Sequence, residues 1–272
     1  MIAVSLMRSC RVRRGEADAI LRAMIEREVR GNVAVLRLAH KKASAMDLEL
    51  LHALEAAFAA EQSSPARAVV LTGTGSIFSA GVDLFRVLDG GRAYLEQFLP
   101  ALDSALKKLL AFEKPLVAAI NGPAIAGGAI LACAADRRLL ARGKATFGAP
   151  ELKVGVPFPP VALEILRLGV PRRHLRDVLL RGRVFTVDEC RDAGLVDEVV
   201  DPADLLDRSL AAAEELAAYP ARSFELTKRQ LRRPALEAVE RASGLVPRIL
   251  DAWSSPEVLA AIRAYVDRTL KK

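Results

Sequence analysis

The feature of this sequence that most restricts its fold is a change of pattern near residue 200. Before that point, short apolar runs such as Ala68 to Leu71 and Leu116 to Ile120 alternate with amphipathic segments, as strands alternate with helices in an α/β domain. After about Asp201, only helical periodicity is found, over segments 203–218, 221–232, 234–250 and 256–270. The sequence therefore predicts an α/β core over residues 26–200 and a helical region over residues 201–272.

The length and composition agree with a globular protein. The chain has 272 residues, of which 52% are hydrophobic, enough for one large domain or a domain with a helical appendage. No apolar run reaches the roughly 20 residues that span a bilayer, so we expect no membrane partner. The helical region carries more apolar side chains than four short helices can bury, so we expect it to pack on the core or on another subunit.

The charge and cysteine usage restrict the partners and the compartment. The net charge of +7 suits anionic partners, including a nucleotide phosphate, but the arginines are spread along the chain. We expect no nucleic-acid partner, because no basic stripe or aromatic stacking platform is visible. The cysteines, Cys10, Cys133 and Cys190, have no metal-binding spacing, and their small odd number favours a reducing, cytoplasmic location. Residues 1–25 are interpreted as a variable N-terminal extension.

Two glycine-containing segments each follow a buried strand. The first, Ser76 to Leu84, combines small residues with Gly81, so its backbone amides can approach and donate to an anion. The second, Asn121 to Ala129, contains Gly127-Gly128 at the start of a helix, where unpaired N–H groups stabilise negative charge. Taken separately, the first also suits an ordinary turn and the second a closely packed helix.

A third segment, Phe147 to Gly155, supplies a carboxylate. Glu151 lies between Pro150 and Leu152, and burial there would raise its pKa and allow proton exchange near neutral pH. Alone, the segment is more typical of an exposed glutamate paired with Lys153. Together, the three segments provide two backbone amides for one oxygen and one acid beside it, which is the arrangement of an oxyanion hole with a proton-transfer group.

The order of these motifs resembles that of the crotonase (enoyl-CoA hydratase/isomerase) superfamily. The resemblance rests on Phe78 to Leu84, Asn121 to Gly128, Ala135-Asp136 and Phe147 to Glu151, with Lys42 to Met46 similar to an earlier CoA-contacting turn. It implies a spiral of ββα units with a C-terminal helical trimerisation region. It also implies a homotrimer or a dimer of trimers, with coenzyme A bound as part of the substrate and no separate cofactor or metal.

The resemblance also assigns residues. It implies that the amides of Val82 and Gly127 form the oxyanion hole and that Glu151 is the catalytic acid/base. Lys228 and the tail from Arg268 to Lys272 are expected to contact phosphates. The other substrate- or CoA-binding positions that it implies are Ala43, Ser44, Ala45, Ser79, Ala80, Gly81, Asp83, Gly128 and Ile130.

One position departs from the hydratase pattern. Hydratases of the family that this chain resembles use two glutamates. The first lies three residues after the oxyanion glycine, where this chain has Ile130, and the second matches Glu151. An apolar side chain cannot activate the water that hydration needs, whereas a single carboxylate can still move a proton between C2 and C4 of an enoyl thioester. Since losing an acid/base costs about 10²- to 10⁴-fold in rate, the pattern favours a Δ3,Δ2-enoyl-CoA isomerase.

Other functions remain compatible with the sequence. A hydratase or another crotonase reaction could take its second acid from Asp83 or Glu113, although Asp83 is better explained as a helix cap. A non-catalytic acyl-CoA-binding protein would keep the pocket without turnover. An RNA-binding relative has only the positive charge in its favour.

Overall fold

The computed structural model describes residues 24–41 and 43–269. The extension proposed for residues 1–25 therefore lies almost wholly outside the described residues. So do Lys42 and the last three residues of the tail from Arg268 to Lys272.

A six-stranded sheet forms the centre of the fold. Its strands are β1 (Ile25–Arg30), β2 (Val33–Leu38), β3 (Ala68–Gly73), β4 (Leu116–Ile120), β6 (Arg137–Ala141) and β9 (Glu198–Val200), in the order β1-β2-β3-β4-β6-β9. Two short β-rich runs around Gly31-Asn32 predict a hairpin over Glu28 to Leu38, and the first two strands form it, with a φ of +60° at Gly31. All other neighbours are parallel, so the active-site segments leave the same edge of the sheet.

A second, smaller sheet lies beside the first. It contains β5 (Ala124–Ile125), β7 (Thr146–Gly148) and β8 (Val184–Thr186), in the order β5-β7-β8. The pairing of β5 with β7 is parallel and joins the second glycine segment to the strand that precedes Glu151. This pairing therefore brings together two motifs that are more than twenty residues apart in sequence.

Seven helices connect the strands of the core. They are α1 (Leu48–Ser63), α2 (Leu84–Leu110), α3 (Gly127–Cys133), α4 (Glu151–Val154), α5 (Pro160–Gly169), α6 (Leu175–Arg181) and α7 (Val187–Ala193). The sequence predicts a helical stretch from about Arg92 to Phe112, but α2 begins earlier, because Asp83 caps it by accepting a hydrogen bond from the Arg86 amide. Its direction changes at Gly91, whose φ of 52° and ψ of −143° are not helical.

The C-terminal region is helical, as predicted. Helices α8 (Leu205–Ala217), α9 (Ala221–Arg241), α10 (Val246–Trp253) and α11 (Pro256–Thr269) follow β9, with one 3₁₀ turn over Ser243–Leu245. The predicted break between residues 232 and 234 is wrong, because α9 continues through Pro234. Buried Arg232, Ala235 and Val239 hold both sides of the proline against the core, which offsets the missing hydrogen bond.

The hydrophobic core lies on both faces of the main sheet. Alternation along β2 places Ala34, Leu36 and Leu38 in the larger cluster, whereas Val33 and Val35 face the smaller one. Helix α8 covers the smaller cluster. Trp253, Ile262 and Val266 of the last two helices lie in the larger one, which confirms that the C-terminal region packs on the core. Within residues 24–41 and 43–269, no helix is long and apolar enough to cross a bilayer.

Candidate active site

The first glycine segment forms a rigid turn after β3. The Met46 amide donates to Gly81 O at 2.7 Å, and the Asp83 amide donates to Met46 O at 2.9 Å. These bonds form a short parallel bridge between Met46 and Val82. Gly81 has a φ of +84°, which favours glycine, and Asp83 immediately begins the cap of α2. Val82 is therefore held in place from both sides.

The second glycine segment packs directly on the first. The side-chain oxygen of Asn121 accepts a hydrogen bond from the Gly73 amide at 3.0 Å and ties the ends of β3 and β4 together. A Cβ atom at Gly128 would lie 2.3 Å from Ser79 O, and one at Gly81 would lie 3.0 Å from the Gly127 nitrogen. Such short separations require glycine at both positions and bring the turn at residues 81 and 82 against the start of α3.

The amides of Val82 and Gly127 are available to a ligand. Both residues line the same cavity, and among the described residues neither amide has a hydrogen-bond acceptor. Gly127 is buried and Val82 is half-buried, and backbone N–H groups inside a protein normally have partners, so two unpaired amides at neighbouring turns are unusual. They can stabilise negative charge that develops on a substrate oxygen.

Glu151 supplies a buried acid in this cavity. It is the first residue of α4 and is 7% exposed, so the alternative of an exposed glutamate paired with Lys153 is wrong. Its Oε2 atom is buried and has no hydrogen-bond partner among the described residues. Burial raises the pKa of Glu151 from 4.5 to about 8. The carboxyl group can therefore exchange a proton near neutral pH.

The cavity that joins these groups has a volume of about 520 Å³. Eight of the predicted site residues line it, namely Ala43, Ala45, Ala80, Val82, Asp83, Gly127, Ile130 and Glu151. Four others, Ser44, Ser79, Gly81 and Gly128, form the layer behind its wall. Ser79 Oγ donates to Ser44 O at 2.8 Å, and Ser44 Oγ donates to Leu38 O at 3.0 Å. These residues shape the site without lining it.

The two carboxylates considered as alternative acids have other roles. Asp83 caps α2 and also accepts a hydrogen bond from Lys41 Nζ at 3.2 Å, which confirms its structural role. Glu113 does not line the cavity and instead contacts Gln62 and Arg229. Of the carboxylates lining the cavity, Glu151 alone has a buried unpaired oxygen. In the described part of the chain, no group of three or more His, Cys, Asp or Glu side chains could hold a metal ion.

The resemblance implies that Lys228 contacts a phosphate, but its side chain is buried and does not line the cavity. This assignment is therefore wrong. The Lys228 Nζ donates to Asp136 Oδ2 and to Lys114 O, both at 2.6 Å. Arg232 donates to the other oxygen of Asp136 at 2.8 Å. Burial lowers the pKa of Lys228 to about 7. Its ammonium therefore links α9 to the core, because both of its acceptors belong to the core.

Part of the cavity could not be predicted from sequence motifs. Its remaining wall includes Leu102, Leu106, Phe158, Ala162, Trp253 and Tyr265. All of these except Phe158 lie on helices and have the helical spacing of ordinary core positions, and no signal separates the two roles.

Comparisons with known proteins agree with this geometry. The family model described as enoyl-CoA hydratase/isomerase matches residues 28–268. A putative enoyl-CoA hydratase from Thermus thermophilus is 34% identical over 229 residues, which cover 82% of this chain and 88% of that protein. A 4-chlorobenzoyl coenzyme A dehalogenase from an Arthrobacter species is 34% identical over 205 residues, which cover 74% and 73% of the two chains.

Solved structures are also similar. The human mitochondrial Δ3-Δ2-enoyl-CoA isomerase has a TM-score of 0.86 and 25% identity, and the match covers 91% of this chain and 98% of that one. An enoyl-CoA isomerase from Mycobacterium tuberculosis has a TM-score of 0.76 and 27% identity, with coverage of 83% and 98%. The names of these relatives cover isomerisation, hydration and dehalogenation, so similarity alone does not select the reaction.

Proposed function

The chain belongs to the enoyl-CoA hydratase/isomerase family and has the crotonase fold, and from that premise we propose that it is a Δ3,Δ2-enoyl-CoA isomerase. Its role would lie in the breakdown of fatty acids or related acyl-CoA compounds. The proposal rests above all on one observation. Glu151 has an unpaired buried carboxyl oxygen in the cavity, and the apolar Ile130 lies where a hydratase of the family would carry a second acid.

The proposed reaction is a proton transfer. The thioester oxygen of a 3-enoyl-CoA accepts hydrogen bonds from the amides of Val82 and Gly127, which acidifies the protons at C2. The carboxylate of Glu151 removes a C2 proton, and the negative charge spreads over the resulting dienolate. Glu151 then returns the proton to C4, which gives the conjugated 2-enoyl-CoA. No electron is transferred to the protein and no water is consumed, so we expect coenzyme A to enter only as part of the substrate.

A substitution at Glu151 tests this proposal. We expect the purified protein to convert a 3-enoyl-CoA to the 2-enoyl form, and Glu151→Gln to lower kcat by about 10²- to 10⁴-fold. A matched control is Glu164→Gln, because Glu164 is a second buried glutamate, is paired with Arg167 at 2.7 Å and lies outside the cavity. We expect this control to keep its activity.

Other outcomes would select other functions. A Glu151→Gln variant as active as the parent protein would exclude Glu151 as the proton carrier. Rapid hydration of crotonyl-CoA by the pure protein would identify a hydratase. Binding of acyl-CoA without turnover of any thioester would identify a non-catalytic binding protein.

We also propose that the chain assembles as a homotrimer or a dimer of trimers. The C-terminal region exposes several large apolar side chains, namely Tyr219, Leu226, Leu231 and Leu245. Exposed apolar surface of this kind is typical of subunit interfaces. Sedimentation equilibrium of the full chain tests this proposal, and a monomer at micromolar concentration would contradict it.

A further inference from the structure

The lining of the cavity contains both exposed and buried side chains. Phe85 is 45% exposed and Ala80 is also exposed. The buried apolar part of the lining, which we call the closed end, contains Leu102, Leu106 and Ala162, each no more than 4% exposed, and Trp253, which is 2% exposed. Val82, Gly127 and Glu151 line the same cavity. The acyl chain of a thioester held there is apolar, so it gains free energy by packing against the closed end.

Trp253 is held firmly at the closed end. Its indole N–H donates to Pro157 O at 3.0 Å, which fixes the orientation of the ring. The helix that carries it, α10, is attached to α2 through Arg92, which donates to Asp251 Oδ1 at 2.9 Å and to Ser254 Oγ at 3.0 Å. The indole is therefore restrained by both a side-chain bond and its helix.

The closed end offers no polar partner to an acyl chain. Its side chains are hydrocarbon or aromatic, and the single indole N–H there is already bonded to Pro157 O. Tyr265 also lines the cavity and carries a hydroxyl group, but it is only partly buried. A polar substituent at the far end of the acyl chain would lose its hydrogen bonds to water without replacement.

We propose that Trp253 forms the end wall of the acyl pocket, so that the substrates are unsubstituted aliphatic acyl-CoA thioesters whose maximum length the indole sets. This inference rests on the proposed function, since it requires an acyl-CoA in the cavity. It adds a specificity-determining residue and a substrate class to that function.

The protein contains an internal probe for this inference. Trp253 is the single tryptophan of the sequence, so tryptophan fluorescence reports on this wall alone. The experiment titrates the full chain with free coenzyme A and with saturated acyl-CoA thioesters of increasing length. These thioesters cannot isomerise, so the readout is independent of catalysis.

The expected result is a length threshold. Free coenzyme A and acetyl-CoA should bind without changing the emission of Trp253, and longer chains should shift it once they reach the indole. Affinity should rise about fourfold with each added methylene up to that length and then stop rising. A thioester with a hydroxyl at the chain end should bind more weakly than its unsubstituted counterpart.

A matched control and a second variant complete the test. In a Trp253→Phe, Leu180→Trp double variant, the probe moves to a position that is 68% exposed and outside the cavity, so its emission should not depend on acyl length. In Trp253→Leu, checked for folding by circular dichroism, the longest chain that binds tightly should become longer.

Several outcomes would overturn the inference. They are an equal emission change with acetyl-CoA and long-chain thioesters, a length preference that Trp253→Leu leaves unchanged, and tight binding of long chains without any emission change. Failure of the proposed function would give a different result. Acyl-CoA thioesters would then bind tightly and with a dependence on length, but a 3-enoyl-CoA would not be isomerised.

Discussion

The pKa of Glu151 is raised because its carboxyl group is buried. A carboxyl group in water ionises near pH 4, but here one oxygen is buried without a hydrogen-bond donor. Among the residues that the structure describes, no cation is paired with it, so desolvation dominates and raises its pKa to about 8. A general base works best when its pKa lies near the pH of the reaction, so the burial suits the proposed proton transfer.

The raised pKa predicts the pH dependence of activity. The base must be ionised to remove the C2 proton, so kcat/KM should rise about tenfold per pH unit below the pKa and level off above about 8. A pH–rate profile with a 3-enoyl-CoA measures this. A flat profile between pH 6 and pH 9 would contradict the assignment of Glu151 as the base.

The same pKa predicts a pH dependence of stability. Because the pKa is raised on folding from 4.5 to about 8, the contribution of Glu151 to stability is fully present below pH 4.5 and is lost as the pH rises through 8. Relative to Glu151→Gln, the wild type should lose about 1.4 kcal/mol of unfolding free energy per pH unit within that window. Urea denaturation of both proteins across the window measures the difference, and parallel curves would contradict the prediction.

At the scale of elements, the proposed oxyanion hole depends on how closely α3 approaches the turn after β3. Gly127 and Gly128 are buried, and α3 begins after Ala126, whose φ of 53° is rare for alanine. This approach brings the first amide of the helix against the turn at residues 81 and 82. The proposed reaction therefore requires contact between two elements in addition to the residues themselves.

A methyl group at Gly128 should separate these elements. In Gly128→Ala, the new Cβ would lie 2.3 Å from Ser79 O, so the backbone must shift at a cost of about 1–3 kcal/mol in stability. A misplacement of about 1 Å in the site lowers kcat by about 10²-fold. Steady-state kinetics measure the loss.

Gly244→Ala is the matched control for this substitution. A Cβ at Gly244 meets nothing within 4 Å, so kcat and stability should stay close to the wild-type values. Equal activity of Gly128→Ala and Gly244→Ala would show that the packing of α3 does not limit the site.

At the scale of the whole molecule, one carboxylate connects the C-terminal helices to the core. Asp136 accepts hydrogen bonds from Lys228 and Arg232 of α9 and from the Leu116 amide at the start of β4. Arg232 also donates to Ala134 O, just after α3, at 2.6 Å. The same group of charges therefore connects the end of α3 to the C-terminal region.

Removal of this carboxylate should be costly. Asp136→Asn leaves the buried guanidinium of Arg232 without a counterion, so the unfolding free energy should fall by about 3–5 kcal/mol. Asp201→Asn is the matched control, because Asp201 forms an exposed ion pair with Arg142 and should contribute less than about 1 kcal/mol. Urea denaturation compares the two variants, and equal losses would contradict the prediction.

The sequence by itself determined the order of the elements and the choice of the proposed reacting groups. The hairpin around Gly31-Asn32 and the helical region after residue 200 follow from side-chain periodicity, which is a local property. The positions of Gly81, Gly127 and Glu151 after buried strands likewise follow from the chain, because glycine marks places where backbone must approach closely. These features depend on residues that are near one another in sequence.

Only the tertiary structure decided the surroundings of each side chain. The burial of Glu151, the pairing of Lys228 with Asp136 and the continuity of α9 through Pro234 depend on elements far away in sequence. The same is true of Trp253, which has the spacing of a core residue but lines the cavity. Burial and desolvation are properties of the packed molecule, so no local pattern can specify the pKa of an acid or the end of a pocket.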